Sequence, residues 1–215
     1  MPRKPPPPRQ MSTASAPRGA GQVRIIGGRW RGTKLAVPDR PGLRPSSDRV
    51  RETVFNWLMP ALPGARVLDL FAGTGALGLE ALSRGAAHAT LVERDPGLAA
   101  ALRDVSGRLD AAATVIAQDA LAWLAGQDAR FDLVFLDPPF ADGLWERALA
   151  ALVPRLAADA WVYVEAPAGT VPAVPPAWAL HREGQTRDVR YALYRTPGAQ
   201  AAGTLRPDDS PATTA

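Results

Sequence analysis

The stretch RVLDLFAGTGALGLEAL, residues 66–82, decides the fold of this chain. Its first six residues form a mostly apolar run that predicts a buried β-strand, and its last seven, ALGLEAL, predict an α-helix. Between them Gly73, Gly75 and Gly78 follow the order G-x-G-x-x-G, in which glycines let the backbone turn sharply and approach a ligand at the amino end of the helix. Nicotinamide and flavin binders share this pattern, so it predicts a ligand-binding α/β unit without naming the ligand.

Strand and helix patterns alternate along the rest of the chain, which is typical of a mostly parallel sheet covered on both faces. Only a short polar link joins the last two strands, so we expect them to pair antiparallel, because a parallel crossover needs a dozen or more residues. The sequence therefore predicts an α/β fold with a seven-stranded, mostly parallel sheet whose last strand is antiparallel. The predicted strands are 66–71, 89–93, 113–117, 131–137, 160–165, 178–183 and 188–195, and the predicted helices are 76–84, 96–108, 119–125 and 142–156.

A smaller unit precedes this domain. The segment VRIIGGRWRGTKLAV, residues 23–37, has two short apolar runs around glycines and predicts a β-hairpin. The segment LRPSSDRVRETVFNWLM, residues 43–59, predicts a helix capped by Ser46 or Ser47. Both ends of the chain are rich in Pro, Ala, Ser or Thr and predict disorder. The expected divisions are a tail at 1–21, a hairpin and helix extension at 22–60, the main domain at 61–196 and a second tail at 197–215.

Composition excludes several kinds of chemistry. The 215 residues include no cysteine, which removes disulfides, thiolate nucleophiles and cysteine-ligated metals, and the two histidines lie far apart, so we expect no metal site. The amino-terminal stretch lacks the apolar core of a secretory signal, and no apolar run is long enough to span a bilayer. A cytoplasmic protein with no membrane partner is the expectation.

Charge is distributed unevenly along the chain. Residues 1–58 hold 12 of the 25 Lys and Arg residues but only three of the 21 acids. This asymmetry favours an acidic partner, with nucleic acid first, although a solvated basic tail is the alternative. Arg49 or Arg51 could instead pair with Glu52 or cover the ligand pocket. The predicted phosphate contacts, with Trp30 as a stacking surface, are Arg24, Arg29, Arg31, Lys34, Arg44, Arg49 and Arg51.

Each of three successive predicted strands ends in an acid or is followed by one. Asp69 precedes the glycine turn, where a fixed negative charge would repel a pyrophosphate but attract a ligand that carries an ammonium and a sulfonium. Glu93 lies 18 residues beyond Gly75 and suits two ribose hydroxyls. Asp119 is placed to meet an adenine amino group. Each acid could instead cap a loop or helix, and we expect Asp119 to do both.

The fourth of these strands, FDLVFLDPPF at residues 131–140, ends in Asp137, Pro138, Pro139 and Phe140. Ligands bind at the carboxyl edge of such sheets, where an acid, a stiff backbone with free carbonyls and an aromatic ring could hold a flat group bearing an amine. The alternative is a proline turn in which Asp137 is only a cap.

These motifs resemble the Rossmann-like class I S-adenosylmethionine-dependent methyltransferases, in which [DNS]-P-P-[FYW] marks methylation of an amino nitrogen. The segments IIGGRWRGTKLAVPD, GLRPSSDRVRETVFNWL, DLFAGTGALGLEALSRGA and FDLVFLDPPF are similar to those of the bacterial 16S rRNA guanine-N2 methyltransferases of the small-subunit methyltransferase D type. The similarity covers about residues 23–196. Asp137 stands where many amino methyltransferases carry Asn.

The resemblance implies methyl transfer from S-adenosylmethionine to the N2 amine of a guanine in 16S rRNA, in the small subunit or an assembly intermediate, by a monomer that releases S-adenosylhomocysteine. Asp137 and the Pro138 carbonyl would hold the amine, and Phe140 would stack on the base unless it belongs to the core. Alternatives are DNA adenine or protein glutamine as the acceptor, a nicotinamide-dependent oxidoreductase, and an RNA-binding module without activity. The implied cofactor-binding residues are Asp69, Phe71, Gly73, Gly75, Glu93, Arg94, Asp119 and Ala120, and the implied catalytic residues are Asp137, Pro138, Pro139 and Phe140.

Overall fold

The computed structural model of the chain describes residues 22–36, 47–139 and 144–197. The tails predicted at 1–21 and 197–215 lie outside the described residues apart from Pro197, as do Arg44 and Phe140. No helix in the described part of the chain is both long and apolar enough to cross a membrane.

A seven-stranded sheet forms the centre of the molecule, and its strands run in the order β5-β4-β3-β6-β7-β9-β8. All neighbours pair parallel except β9, which lies between β7 and β8 and is antiparallel to both. The predicted mostly parallel sheet with an antiparallel last strand is therefore confirmed. The strands are β3 Arg66–Asp69, β4 His88–Val92, β5 Ala113–Ile116, β6 Phe131–Leu136, β7 Leu156–Pro167, β8 Ala179–Gln185 and β9 Val189–Arg195.

The hairpin before the sheet pairs β1, Gln22–Arg24, with β2, Lys34–Ala36, as predicted. Helix α1 follows, and its amino-terminal cap is Ser47, whose hydroxyl accepts a hydrogen bond from the Val50 N–H at 3.3 Å. The helices are α1 Asp48–Leu58, α2 Ala76–Ser83, α3 Pro96–Leu109, α4 Ala120–Ala125 and α5 Leu144–Leu152.

The prediction of one helix from 142 to 156 was wrong at its carboxyl end. Helix α5 ends at Leu152, and a single 3₁₀ turn, Val153–Arg155, leads into β7. Pro154 explains the end of the helix, because proline lacks the N–H that an α-helical residue donates and clashes with the preceding turn. Strand β7 is accordingly longer than predicted.

Two hydrophobic clusters cover the two faces of the sheet. Along β6, Leu133 and Phe135 belong to the first cluster and Val134 and Leu136 to the second, as expected from the two-residue period of a strand. The first cluster also contains residues from the amino-terminal extension, namely Val23, Ile25, Leu35, Val50, Val54, Phe55 and Leu58. The hairpin and α1 therefore share a core with the sheet.

Helix α2 holds the hairpin in place through two side chains near its carboxyl end. The fully buried Glu80 carboxylate accepts hydrogen bonds from the Ile26 and Gly27 N–H groups at 2.6 and 2.8 Å. The Ser83 hydroxyl donates to the Gly27 carbonyl at 2.6 Å and accepts from the Trp30 N–H at 2.9 Å. The hairpin is thus attached through its own backbone, at a position fixed relative to α2.

Gly28 is required for this attachment. It has a φ of +74°, and a Cβ at this position would lie 1.8 Å from the Ser83 carbonyl oxygen. A side chain would face both a left-handed backbone and a rigid backbone atom. The double glycine of the hairpin therefore permits close contact with α2.

Candidate active site

A cleft of about 790 Å³ opens at the carboxyl ends of the parallel strands, where ligands bind in open α/β sheets. Most of the predicted cofactor-binding and catalytic residues line this one cleft. The exceptions are Gly75, which precedes α2 without lining the cleft, and Phe140, which is outside the described residues. The predicted residues that line it are Asp69, Phe71, Gly73, Glu93, Arg94, Asp119, Ala120, Asp137, Pro138 and Pro139.

The glycine turn after β3 is compact. Gly73 and Gly75 have φ values of +53° and +76°, which favour glycine, and a Cβ on Gly75 would lie 2.5 Å from the Leu102 side chain. A Cβ on Gly78 would lie 3.2 Å from the Asp69 carboxylate. These glycines thus bring α2 close to the end of β3 and to the neighbouring helix α3.

Asp69 is the most buried acid among the predicted site residues, with 2% of its surface exposed. Its Oδ2 accepts a hydrogen bond from the Gly78 N–H at 2.9 Å. Burial raises the pKa of Asp69 to about 7, the Glu93 carboxylate adds to this rise, and the Gly78 N–H opposes it. A cation bound in the cleft would stabilise the ionised form of this carboxyl.

Glu93 and Asp119 are oriented by nearby backbone. Glu93 accepts from the Gly73 N–H at 2.9 Å and from the Asp95 N–H at 2.7 Å, so it joins the glycine turn to the loop after β4. Asp119 caps α4 by accepting from the Leu121 and Ala122 N–H groups, both at 3.0 Å, and the predicted capping role is confirmed. An ionised carboxylate has about four acceptor positions, so each acid can also accept from a ligand.

Asp137 directly follows β6 and lies on the other side of the cleft from Glu93 and Asp119, because β6 borders β3 on the side away from β4. Removal from water, together with the carboxylates of Glu165 and Asp69, raises the pKa of Asp137 well above its usual range. Pro138 is buried and Pro139 is exposed. The structure therefore places the carboxyl and the rigid backbone of this motif next to a cluster of acids.

The sequence reasoning missed two features of the cleft. The first is Glu165 near the end of β7, which is 4% exposed and accepts a hydrogen bond from the Tyr163 hydroxyl at 2.6 Å. Burial and the Glu165 and Asp137 carboxylates raise the pKa of Tyr163. The sequence signal for Glu165 is its position as the acid that ends the fifth predicted strand, 160–165. The second is the turn between β8 and β9, residues 186–188, which lines the cleft together with Val189 at the start of β9, whereas the sequence predicts only a short polar link there.

The predicted phosphate contacts do not all reach solvent. Trp30 is half-buried, and the Arg29 guanidinium lies 5.7 Å from the centre of its ring. Arg51 contradicts its prediction as a surface contact, because it is 1% exposed. Its guanidinium donates to the Arg24 carbonyl at 2.9 Å and to Asp48 at 2.7 Å, so it pairs with Asp48 and not with Glu52. Arg51 also lines the cleft, in agreement with the alternative that it covers the ligand pocket. The exposed members are Arg24, Arg29, Arg31, Lys34 and Arg49.

This fold is the Rossmann-like class I fold of S-adenosylmethionine-dependent methyltransferases. Three features define it, namely the strand order, the antiparallel β9 inserted between β7 and β8, and the glycine turn next to the acids at the strand ends. The family described as Conserved hypothetical protein 95 matches residues 23–195, and the chain is 50% identical over 181 residues to ribosomal RNA small subunit methyltransferase D of Escherichia coli K12. The chain therefore belongs to the ribosomal RNA small subunit methyltransferase D family, a family of S-adenosylmethionine-dependent rRNA methyltransferases.

Further comparisons agree with this assignment. The Escherichia coli match covers 82% of this chain and 91% of the relative, and the Haemophilus influenzae enzyme of the same name is 43% identical, with coverage of 86% and 100%. The solved structure of yhhF from Escherichia coli is 48% identical, has a TM-score of 0.76 and matches 82% of this chain and 99% of its own.

A more distant solved structure shares the fold alone. The Thermus thermophilus 16S rRNA N2 G1207 methyltransferase RsmC, solved with AdoMet and guanosine, is 20% identical with a TM-score of 0.60, and the match covers 83% of this chain and 50% of that chain. The resemblance that the sequence motifs indicated is confirmed, and membership of a methyltransferase family removes the oxidoreductase alternative.

Proposed function

We propose that this protein transfers a methyl group from S-adenosylmethionine to the exocyclic N2 amine of a guanine in the 16S rRNA of the small ribosomal subunit, and releases S-adenosylhomocysteine. The observation that carries the proposal is the position of Asp137 and Pro138 in the same cleft as Asp69, Glu93 and Asp119. One side of the cleft then suits a cationic adenosine cofactor, and the other suits an amine. The family name of the relatives supports rRNA as the substrate.

The residues present fit this cofactor. Asp69, buried and with a pKa raised to about 7, would gain a counterion from a ligand that carries an ammonium and a sulfonium. Glu93, held by the Gly73 N–H, would accept from the ribose hydroxyls, and Asp119 would accept from the adenine amine. When bound, the cofactor supplies a methyl group made electrophilic by the positive sulfur. Phe71, Arg94 and Ala120, which also line the cleft, would form the remaining walls of the adenosine pocket.

The acceptor side would position a weak nucleophile. The N2 lone pair of guanine is delocalised into the ring, so acceptors on its two hydrogens are needed to favour a pyramidal nitrogen. The Asp137 carboxylate and the Pro138 carbonyl would serve as these acceptors, and rate enhancement would come mainly from positioning and local electrostatics. Asp137 or water would take the proton that the amine loses when its lone pair bonds to the methyl carbon and the carbon–sulfur electron pair returns to sulfur.

Substrate access would require the base to leave its stack, because the acids line a cleft that a paired base cannot enter. The exposed cations of the hairpin and α1, namely Arg24, Arg29, Arg31, Lys34 and Arg49, would contact the phosphates around the target. Cofactor-side and acceptor-side groups all come from one chain, so we expect a monomer to suffice. An rRNA substrate, free or in an assembling subunit, would place the enzyme in the cytoplasm.

Mass-spectrometric mapping of methylated nucleosides tests the proposal directly. Small-subunit RNA from cells with and without this protein should differ by one N2-methylguanosine, and the purified protein should restore it with S-adenosylmethionine. Unchanged rRNA would overturn the proposal and favour DNA adenine or protein glutamine as the acceptor. A methyl lost from an rRNA adenine would overturn the assignment of guanine as the target base. Calorimetry should also detect binding of S-adenosylhomocysteine and none of NAD.

A further inference from the structure

Glu165 lies beside Asp137 in the sheet. The parallel strands β6 and β7 pair Leu136 with Val164. Asp137 directly follows β6 and Glu165 follows Val164 within β7, so the two acids are neighbours. Adjacent strands are about 4.8 Å apart, and residues in register on parallel strands face the same side of the sheet. Burial raises the pKa of Asp137, and the neighbouring Glu165 carboxylate raises it further.

The Glu165 side chain is held in a defined position. The Tyr163 hydroxyl, two residues earlier on the same face of β7, donates to Glu165 Oε2 at 2.6 Å. The Trp145 indole N–H of α5 donates to the Glu165 backbone carbonyl at 2.9 Å. Both Tyr163 and Glu165 are buried, yet Glu165 lines the cleft. This carboxylate is therefore a fixed acceptor at the wall of the cleft.

Strand order places Glu165 on the acceptor side. The acids proposed to hold the cofactor lie at or after the ends of β3, β4 and β5, whereas β7 lies beyond β6 in the opposite direction. A group bound between Asp137 and Glu165 would therefore be the methyl acceptor and not the adenosine of the cofactor. The function of Glu165 must then concern the acceptor base.

Two neighbouring carboxylates select for a base edge that carries two neighbouring donors. When ionised, a carboxylate only accepts hydrogen bonds. Guanine presents its N1–H next to its N2 amine, whereas adenine and cytosine have a bare ring nitrogen next to their amines. An extruded base is read by hydrogen bonds to this Watson–Crick edge. A guanine that bridges the two acids would also reduce their repulsion, because each would gain a donor.

We infer that Glu165 is the residue that selects guanine, by accepting a hydrogen bond from the base N1–H while Asp137 accepts from the N2 amine. The inference rests on the proposed function, because it assumes that the acceptor is a guanine amine. A carboxylate with about four acceptor positions can hold the Tyr163 hydroxyl and the base N–H together. The site then rejects a base without the N1 proton, because the carboxylate would face a ring lone pair.

The test compares two nucleotides that differ at N1 and at the adjacent C6, where only guanine carries an oxygen. Guanosine monophosphate and 2-aminopurine riboside monophosphate both carry the 2-amine, but only guanine has the N1 proton. Each is titrated by NMR into full-length protein saturated with S-adenosylhomocysteine. The wild-type protein should bind guanosine monophosphate roughly tenfold more tightly or better, the usual effect of one hydrogen bond to a charged group. Glu165→Gln should lose most of this preference, since the amide can donate to the bare N1 of 2-aminopurine.

Glu183→Gln is the matched control, because Glu183 is an exposed carboxylate on β8 that pairs with Arg190 outside the cleft. It should keep the wild-type preference. Binding of S-adenosylhomocysteine within a few-fold of wild type verifies that Glu165→Gln is folded. If that variant does not fold, Tyr163→Phe, which removes the hydroxyl that orients Glu165, should weaken the preference instead.

The outcomes separate this inference from the proposed function. An undiminished preference for guanosine monophosphate in Glu165→Gln, or in Tyr163→Phe where only that variant folds, overturns the inference even if the wild-type protein forms N2-methylguanosine. Failure of the wild-type protein to form N2-methylguanosine in rRNA overturns the proposed function, whatever the nucleotide titration gives.

Discussion

Replacing Glu80 with alanine should destabilise the protein more than most single substitutions. The carboxylate is fully buried and accepts from the Ile26 and Gly27 N–H groups and from Arg84 Nε at 2.6 Å, and it lies 3.8 Å from Arg51 NH1. Truncation would leave two backbone donors and a buried guanidinium without this acceptor. Removing one partner of a buried ion pair costs about 3–5 kcal/mol. We expect Glu80→Ala to lower the free energy of unfolding by that amount, which corresponds to a fall of roughly 6–20 °C in Tm.

Urea denaturation followed by circular dichroism measures the effect. Glu80→Gln should show an intermediate loss, because the amide keeps one acceptor but turns an NH₂ group toward donors. Glu52→Ala, which removes an exposed carboxylate from α1, is the matched control and should stay within about 0.5 kcal/mol of wild type. A loss below about 1 kcal/mol for Glu80→Ala would refute the view that this carboxylate holds the hairpin to α2.

Three further predictions concern the cleft and its surroundings. Asp137→Ala should reduce the rate of methyl transfer at least about a hundredfold. Calorimetry should find its cofactor affinity within a few-fold of wild type. Near-normal turnover would contradict the role of Asp137 in holding the methyl acceptor. Charge reversal of Arg29 and Arg31 together should weaken RNA binding and flatten the slope of log binding constant against log salt concentration by roughly 1.5. Arg182→Glu, at another exposed arginine, is the control. An unchanged slope would exclude the pair from the interface. Burial raises the pKa of Asp69 to about 7, and only the ionised carboxylate attracts a cation. The affinity for S-adenosylmethionine should therefore rise as the pH increases through about 7. Asp69→Asn should abolish that rise.

The sheet and the cofactor side of the cleft could be predicted because their signals are local. A strand, a glycine turn and a helix follow each other within residues 66–82, and the acids at Glu93, Asp119 and Asp137 each follow an apolar run. Parallel strands place their carboxyl ends on one edge of the sheet, so these local sequence patterns were sufficient to predict that the acids lie in one cleft. The same rule would have included Glu165, had it been applied to the fifth predicted strand.

The contacts that hold the extension could not be predicted, because they join distant parts of the chain. Glu80 bonds to backbone N–H groups 53 and 54 residues earlier, and a backbone donor has no sequence signature. Arg51 was expected among exposed cations, but the helix face it occupies turns toward the Arg24 carbonyl and the core. The position of β9 between β7 and β8 could not be predicted either, because it depends on pairing between strands that are not consecutive in the chain.

Helix α2 connects the cofactor side of the cleft to the hairpin that we propose contacts RNA. It begins after Gly75 in the glycine turn, and its last residues include Glu80 and Ser83, which hold the hairpin. Eight helical residues span about 12 Å, a distance that a short buried helix keeps nearly constant. RNA bound to the hairpin would thus be positioned relative to the methyl donor by a rigid element and not by a linker. A Glu80 variant that remains folded should therefore lose rRNA methylation while its affinity for S-adenosylhomocysteine stays unchanged, because the glycine turn lies at the other end of the helix.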